Sequence, residues 1–290
     1  MLLAQSVFGQ VHQVKLSQNL SALEINHLLV KAKVSLYGGQ VLCWQPQREK
    51  NVFWLSKKAV FEQGKAIRGG IPLCWPWFGS HPDDSTAGNH GFAREQLWQV
   101  EKIDISEKGV EVSLIWQGEH ISHLWPISCK LKQVLFFGQS FKQTLTMSNL
   151  SDQDAYFTGA LHSYFAVSAT KEVKVTALEQ ANFYDKLTEQ LREAQPLENG
   201  VGPVDRIYYT NHAVTIVDNR WKRTIELKSF NAQQWVFWNP GAETANKMAD
   251  VHLGGEQEFV CLEAANTEKQ LLPAGKSVIM AQEIVISSHD

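Results

Sequence analysis

Short runs in which apolar and polar side chains alternate recur from one end of this chain to the other. In Val110, Val112, Leu114 and Trp116 the apolar groups share one face while Glu111 and Ser113 take the other, the two-residue period of a half-buried strand. Comparable runs of β-branched and aromatic residues occupy 39–44, 98–105, 109–116, 128–137, 140–148, 214–217, 224–227, 234–238, 259–263 and 277–287, separated by Gly, Asn, Asp and Ser. Short polar or glycine-containing connections predict hairpins between 98–105 and 109–116 and between 128–137 and 140–148. Only 188–194 and 241–248 suggest helices, and both are short. Strands do not alternate regularly with long amphipathic helices, which argues against a parallel doubly wound sheet or a TIM barrel. The pattern predicts an all-β chain, one large antiparallel β-sandwich with few short helices. No repeat, low-complexity tract or Pro/Ser-rich linker divides it, so a single domain over 1–290 is expected.

Composition narrows the partners. With 44% hydrophobic and 20% charged residues the chain can bury a large core. Its 27 basic and 30 acidic side chains give a net charge of -3 without a long basic run, so neither a nucleic-acid nor an anionic-membrane surface is expected. Any phosphate it binds should be small. The N-terminus lacks the basic start and apolar run of a signal peptide, and no stretch approaches the roughly 18 uninterrupted apolar residues of a membrane span. A mature, soluble, cytoplasmic protein is expected, and a monomer. Cys43, Cys74, Cys129 and Cys261 lie far apart with no CxxC spacing, a pattern of buried free thiols rather than of a zinc site or a disulfide framework.

Two connections, 67–94 and 186–205, are long for a sandwich, and long loops on a rigid β scaffold are where sites usually lie. In the first, Arg68 is followed by Gly69 and Gly70, which permit a tight turn presenting the guanidinium, and a Trp- and Pro-rich stretch would fix that turn. Alone, Arg68 reads more readily as a surface charge, since most arginines are solvated. A second arginine closes Asn89-His90-Gly91-Phe92-Ala93-Arg94, and two convergent guanidinium groups suit a phosphate monoester dianion. Spacing along the chain does not establish that they converge. His162 follows the strand-like 155–158 and stands among aromatics, a position for a general acid, although a hydrogen-bonded structural role is commoner for any one of ten histidines. Glu263 alternates with Phe259 and Cys261 onto one face, where a carboxylate is costly unless paired or functional; a solvated strand-end Glu is the competing possibility. Asp205 could accept from sugar hydroxyls, but nothing local separates it from an ordinary surface Asp.

Taken in order, the motifs RGGIPLCWPWFG, HGFAR, LHSYF and VDRIY and the strand bearing Glu263 resemble the glucose-6-phosphate 1-epimerases, or hexose-6-phosphate mutarotases, a branch of the aldose 1-epimerase superfamily. The resemblance spans nearly the whole chain. It implies a galactose-mutarotase-like β-supersandwich that interconverts the α and β anomers of a hexose 6-phosphate, D-glucose 6-phosphate first among them, without a cofactor or metal. Carried over by motif, His162 matches the general acid and Glu263 the general base. Arg68 and Arg94 match substrate-binding arginines, Asp205 the carboxylate that holds sugar hydroxyls, and His90 a second substrate-contacting histidine. Asn89 occupies a binding position where relatives often have glutamine, so a shorter or water-mediated contact is expected there.

Two other classes compete. A glycoside hydrolase needs two carboxyl groups flanking one bond, whereas the partner of Glu263 here is a histidine. A non-catalytic sugar or sugar-phosphate binding protein would keep the aromatics and arginines without needing both His162 and Glu263. If the two are close, each charged form should favour the other, lowering the pKa of Glu263 and raising that of His162.

Overall fold

Alternation in sequence becomes alternation in burial. Along Cys129–Gly138 the side chains of Cys129, Leu131, Gln133, Leu135 and Phe137 are buried and those between them half-exposed, and Ser140–Asn149 repeats the pattern with Phe141, Gln143, Leu145, Met147 and Asn149. The structure, a computed structural model, describes residues 1–288.

Three sheets result, and all pairings between their strands are antiparallel. The first is a five-stranded meander, Leu2–Ser6, Gly9–Lys15, Ser21–His27, Val30–Ser35 and Val41–Pro46. The second has eight strands in the order Val173–Thr176, Val214–Asp218, Arg223–Phe230, Ser277–Ser288, Ser140–Asn149, Cys129–Gly138, Gly109–Gly118 and Gln99–Ser106. The third runs Gln190–Arg192, Phe183–Asp185, Val204–Tyr208, Gln234–Asn239, Phe259–Leu272, Ala155–Leu161 and Leu73–Cys74, with Tyr164–Ala166 also paired to Phe259–Leu272. One apolar cluster draws on all three, with Leu23 and Val34 from the first, Leu135 and Phe141 from the second, and Leu161 and Leu262 from the third. Among the described residues no helix is long and apolar enough to cross a membrane.

The expected strands are present with ends shifted by a few residues, and 259–263 continues to Leu272. The helix expected over 241–248 is Gly241–Lys247. The helix expected over 188–194 is not there. Asp185 accepts hydrogen bonds on Oδ1 from the backbone N–H of Leu187 (3.0 Å) and Thr188 (3.3 Å), and Glu189 takes a left-handed conformation at φ 54°. Those two features make a tight turn and send Gln190–Arg192 back as a strand against Phe183–Asp185.

A row of buried amides crosses the sandwich. Gln133 donates to the carbonyl of Gly39 (2.6 Å), Gln143 donates to Gln133 (2.5 Å), Gln282 donates to Gln143 (2.7 Å), and Gln282 meets the Ser163 hydroxyl at 3.1–3.3 Å. All three glutamines are 1% exposed or less, and Gln143 lies opposite Gln282 in the strand register. Buried amides are tolerated because each finds a partner. The row ends beside His162.

Candidate active site

Val204–Tyr208, Gln234–Asn239 and Phe259–Leu272 are neighbours in the third sheet and turn one face to a cavity of about 790 Å³. Strand pairing sets the rows on that face: Ile207 opposite Val236 and Val236 opposite Glu263, then Asp205 opposite Trp238 and Trp238 opposite Cys261. The two-residue period thus brings Asp205, Trp238 and Glu263 to one wall. Glu263 stands near the middle of its long strand, not at its end.

His162 follows the last residue of Ala155–Leu161. Its N–H donates to the Pro72 carbonyl (3.1 Å), and the next carbonyl, Ser163, accepts from Leu262 N–H (3.1 Å). These main-chain bonds place the imidazole against the strand of Glu263. Nε2 of His162 lies 3.3 Å from Oε1 of Glu263, with side chains 9% and 1% exposed. The Tyr164 ring stacks on His162 at 4.8 Å with 7° between planes, and His90 meets it edge-on at 5.6 Å.

The turn after Arg68 needs both glycines. Gly69 and Gly70 have φ of +115° and +64°, and a Cβ on either would fall 2.4 Å from the Trp54 carbonyl oxygen or 2.0 Å from that of Val41. The turn directs Arg68 towards the cavity, where Nε donates to Asp250 (3.1 Å) and Nη1 to the Tyr164 hydroxyl (2.8 Å). Arg94 lines the same cavity, donating from Nη2 to the Asn89 carbonyl (2.7 Å), and its Nε has no acceptor among the described residues. Asn89 also accepts on Oδ1 from Ser80 (2.9 Å). Nδ1 of His90 accepts from Gly79 N–H (3.2 Å), so a neutral His90 carries its proton on Nε2 as a donor. Asp205 is paired with Lys186 at 3.0 Å, closing the base of the second long loop. All seven residues singled out in the sequence, Arg68, Asn89, His90, Arg94, His162, Asp205 and Glu263, therefore line one cavity.

Sequence reasoning did not single out Tyr164, Lys186, Trp238 or Asp250. Tyr164 had a signal, being two residues from His162 in the same motif. Lys186 and Asp205 bound the second long loop, which hints at their pairing. Asp250 has none, since it lies in the turn after Gly241–Lys247 and reaches Arg68 only through the tertiary fold.

Burial reverses the expected charge states. Desolvation pushes the Glu263 carboxyl well above the usual carboxylate range, with nearby Asp205 adding to the rise and Lys186 opposing it. Desolvation likewise holds His162 well below the ordinary imidazole range, reinforced by His90, Arg68 and Arg94. Mutual attraction was expected to lower the first and raise the second; removal from water, the largest cause at both groups, moves them the other way. The pair accordingly shares one proton and is neutral overall. Burial, helped by Arg94, Lys186 and Arg68, also lowers His90 to about 3, and burial raises Asp205 against the opposing pull of Lys186.

A model of the aldose 1-epimerase family matches residues 21–284. The chain is 30% identical over 298 aligned positions, covering 99% of both chains, to the Escherichia coli K12 protein named "Putative glucose-6-phosphate 1-epimerase". It is 34% identical over 235 positions, 80% of each, to the Haemophilus influenzae protein of the same name. Among solved structures, a crystal structure described as a "putative mutarotase" from Salmonella typhimurium superposes with a TM-score of 0.89 at 29% identity, over 100% of this chain and 97% of that one.

Proposed function

The chain belongs to the aldose 1-epimerase family, isomerases that interconvert sugar anomers, and from that premise we propose that its substrate is a hexose 6-phosphate, D-glucose 6-phosphate in the first place. The all-β fold is of the galactose-mutarotase type, and the proposal takes residues 1–290 as one catalytic unit. One observation carries it: a carboxyl and an imidazole 3.3 Å apart share a cavity with two arginines.

In this proposal Glu263 takes the proton of the anomeric hydroxyl while His162 gives one to the ring oxygen, so the C1–O5 bond breaks and an open-chain aldehyde forms. The reactive form has Glu263 ionised and His162 protonated. It differs from the resting form only by moving the shared proton across the 3.3 Å contact. Rotation about C1–C2 presents the other carbonyl face, and reclosure with reversed proton transfers gives the other anomer. Tyr164, stacked on the imidazole and bonded to Arg68, fixes its plane. His90 and Asp205 supply a donor and an acceptor for ring hydroxyls, Trp238 an apolar wall, and Arg68 and Arg94 the phosphate contacts, with Asn89 orienting Arg94 through its carbonyl. A non-catalytic binding protein would not require a proton-sharing pair at the floor of the cavity.

Saturation-transfer NMR on glucose 6-phosphate, galactose 6-phosphate, mannose 6-phosphate and free glucose tests the assignment. Enhanced exchange between anomers of the phosphorylated sugars, weaker with glucose, is expected. No enhancement over buffer for any sugar overturns it.

The pH profile follows from the shared proton. Acid adds a second proton to the pair and alkali removes the only one, so kcat is expected to be bell-shaped, with limbs belonging to the coupled pair. Because burial lowers His162, the second proton is taken up only below the ordinary imidazole range. Because burial raises Glu263, the last is lost only above the ordinary carboxylate range. Burial therefore moves the acid limb down from the ordinary imidazole range and the alkaline limb up from the ordinary carboxylate range. A kcat at saturating substrate that climbs steadily into alkali contradicts an imidazolium acid.

A further inference from the structure

The acid–base scheme leaves one neighbouring nucleophile without a task. Cys261 is two residues before Glu263 on the same face of their strand, fully buried, and opposite Trp238 and Tyr164 in the register. One nitrogen of His162, the sulfur of Cys261 and one oxygen of Glu263 lie within 4.8 Å of one another. Nδ1 of His162 and Oε2 of Glu263 are buried and have no hydrogen-bond partner among the described residues.

Imidazole, thiol and carboxylate together are a ligand set for zinc(II) and its borderline-soft neighbours, whereas magnesium and calcium prefer shells of oxygen alone. Tetrahedral zinc, with bonds of about 2.0–2.1 Å to N and O and about 2.3 Å to S, requires N···O edges of about 3.3 Å and S···N edges of about 3.6 Å. The His162 to Glu263 edge is already 3.3 Å. The sulfur must close by about 1.2 Å at most, within reach of a side-chain rotation. We propose that His162, Cys261 and Glu263 form an inhibitory site for a thiophilic divalent transition metal, zinc(II) in the first place, with the fourth position open to water or a sugar hydroxyl from the cavity.

Charge favours this occupant. Buried together, a carboxyl, a thiol and a neutral imidazole carry no net charge, with one displaceable proton on the carboxyl and one on the thiol. Binding displaces both: Zn²⁺ enters, two H⁺ leave, and a carboxylate, a thiolate and a neutral imidazole surround the ion. Net charge is zero before and after, so no uncompensated charge is buried. The metal then occupies the lone pairs that proton transfer needs, so occupancy and turnover exclude each other. The inhibitory half rests on the epimerase assignment, while binding itself does not.

The test titrates metal-free, full-length protein with Co²⁺ and then Zn²⁺, alongside Cys261→Ser, Cys261→Ala and, as a control thiol, Cys43→Ser. One Co²⁺ per chain is expected, with a thiolate-to-metal charge-transfer band and tetrahedral d–d bands that Zn²⁺ bleaches. Zinc affinity should rise with pH, because metal ligands must shed their protons to bind. Both Cys261 variants should lose the charge-transfer band and bind zinc at least about tenfold more weakly, and Cys43→Ser should match wild type. In the anomerisation assay, stoichiometric zinc should stop wild type, a chelator should restore it, and Cys261→Ser should keep turning over. Absence of a thiolate band in wild type, or unchanged zinc affinity in a folded Cys261 variant, overturns the site. Metal-free protein that binds zinc with these signatures but never anomerises a sugar retains the site and overturns the epimerase assignment instead.

Discussion

Glu263→Gln and His162→Ala are each expected to lower the catalysed anomerisation rate by about 10²- to 10⁴-fold, the usual contribution of a positioned acid or base. Glu263→Gln is the cleaner of the two. Burial already holds the carboxyl towards its neutral form, so an amide of the same shape introduces no new buried charge and removes only the capacity to take a proton. His162→Ala opens space beneath Tyr164 and Trp238, and His162→Gln therefore serves as its partner variant. Saturation-transfer rates at saturating sugar phosphate, with circular dichroism to establish folding, provide the measurement. A folded variant of either residue that turns over at nearly the wild-type rate removes that residue from the mechanism.

The two arginines should fail differently. Losing a charged hydrogen bond to phosphate costs about 1.5–3 kcal/mol, roughly a 10- to 150-fold rise in KM for the phosphorylated sugar. Arg94→Ala should show this rise almost alone, because the hydrogen bond its guanidinium makes among the described residues is to the Asn89 carbonyl and not to the His162–Glu263 pair or Tyr164. Arg68→Ala should raise KM and also lower kcat, because the Arg68 guanidinium holds the Tyr164 hydroxyl and Tyr164 stacks on His162. Kinetics on glucose and glucose 6-phosphate side by side separate the two effects. Equal losses on both sugars for both variants would place the phosphate elsewhere, with Lys186 the next cation on the cavity wall.

The antiparallel architecture was legible because burial imposes a two-residue period that a single strand displays by itself, as in Val110, Val112, Leu114 and Trp116. The hairpin at Glu189 was not. Its sequence carries enough helix-favouring residues to suggest a helix, and the deciding interaction, Asp185 capping two N–H groups, is a matter of side-chain geometry. The seven candidate residues, which share one cavity, were singled out through motif resemblance far more than through local chemistry. Arg68 and Arg94 are brought to one cavity by turns whose glycines the sequence shows, but Asp250 acts on Arg68 from a distant turn that bears no motif. Charge states were misjudged for a related reason. Proximity can be guessed from roles, whereas desolvation depends on how much protein surrounds the pair. Cys261 shows the same limit, since a histidine from one strand end and a Cys-x-Glu pair in another strand have no recognisable metal-ligand spacing.

The buried glutamine row has a polarity. A backbone carbonyl can only accept, so at Gly39 the amide nitrogen of Gln133 must face it, which turns the Gln133 oxygen to Gln143, the Gln143 oxygen to Gln282, and the Gln282 oxygen to the Ser163 hydroxyl. No amide can flip without stranding its neighbours. Replacing one glutamine by an apolar residue therefore leaves an unmatched donor on one side and an unmatched acceptor on the other, whereas replacing all three by residues of matching volume strands only the two ends. Positions 133, 143 and 282 are consequently bound to change as a set, and a designer seeking to stabilise the sandwich beneath the active site gains nothing by altering them singly.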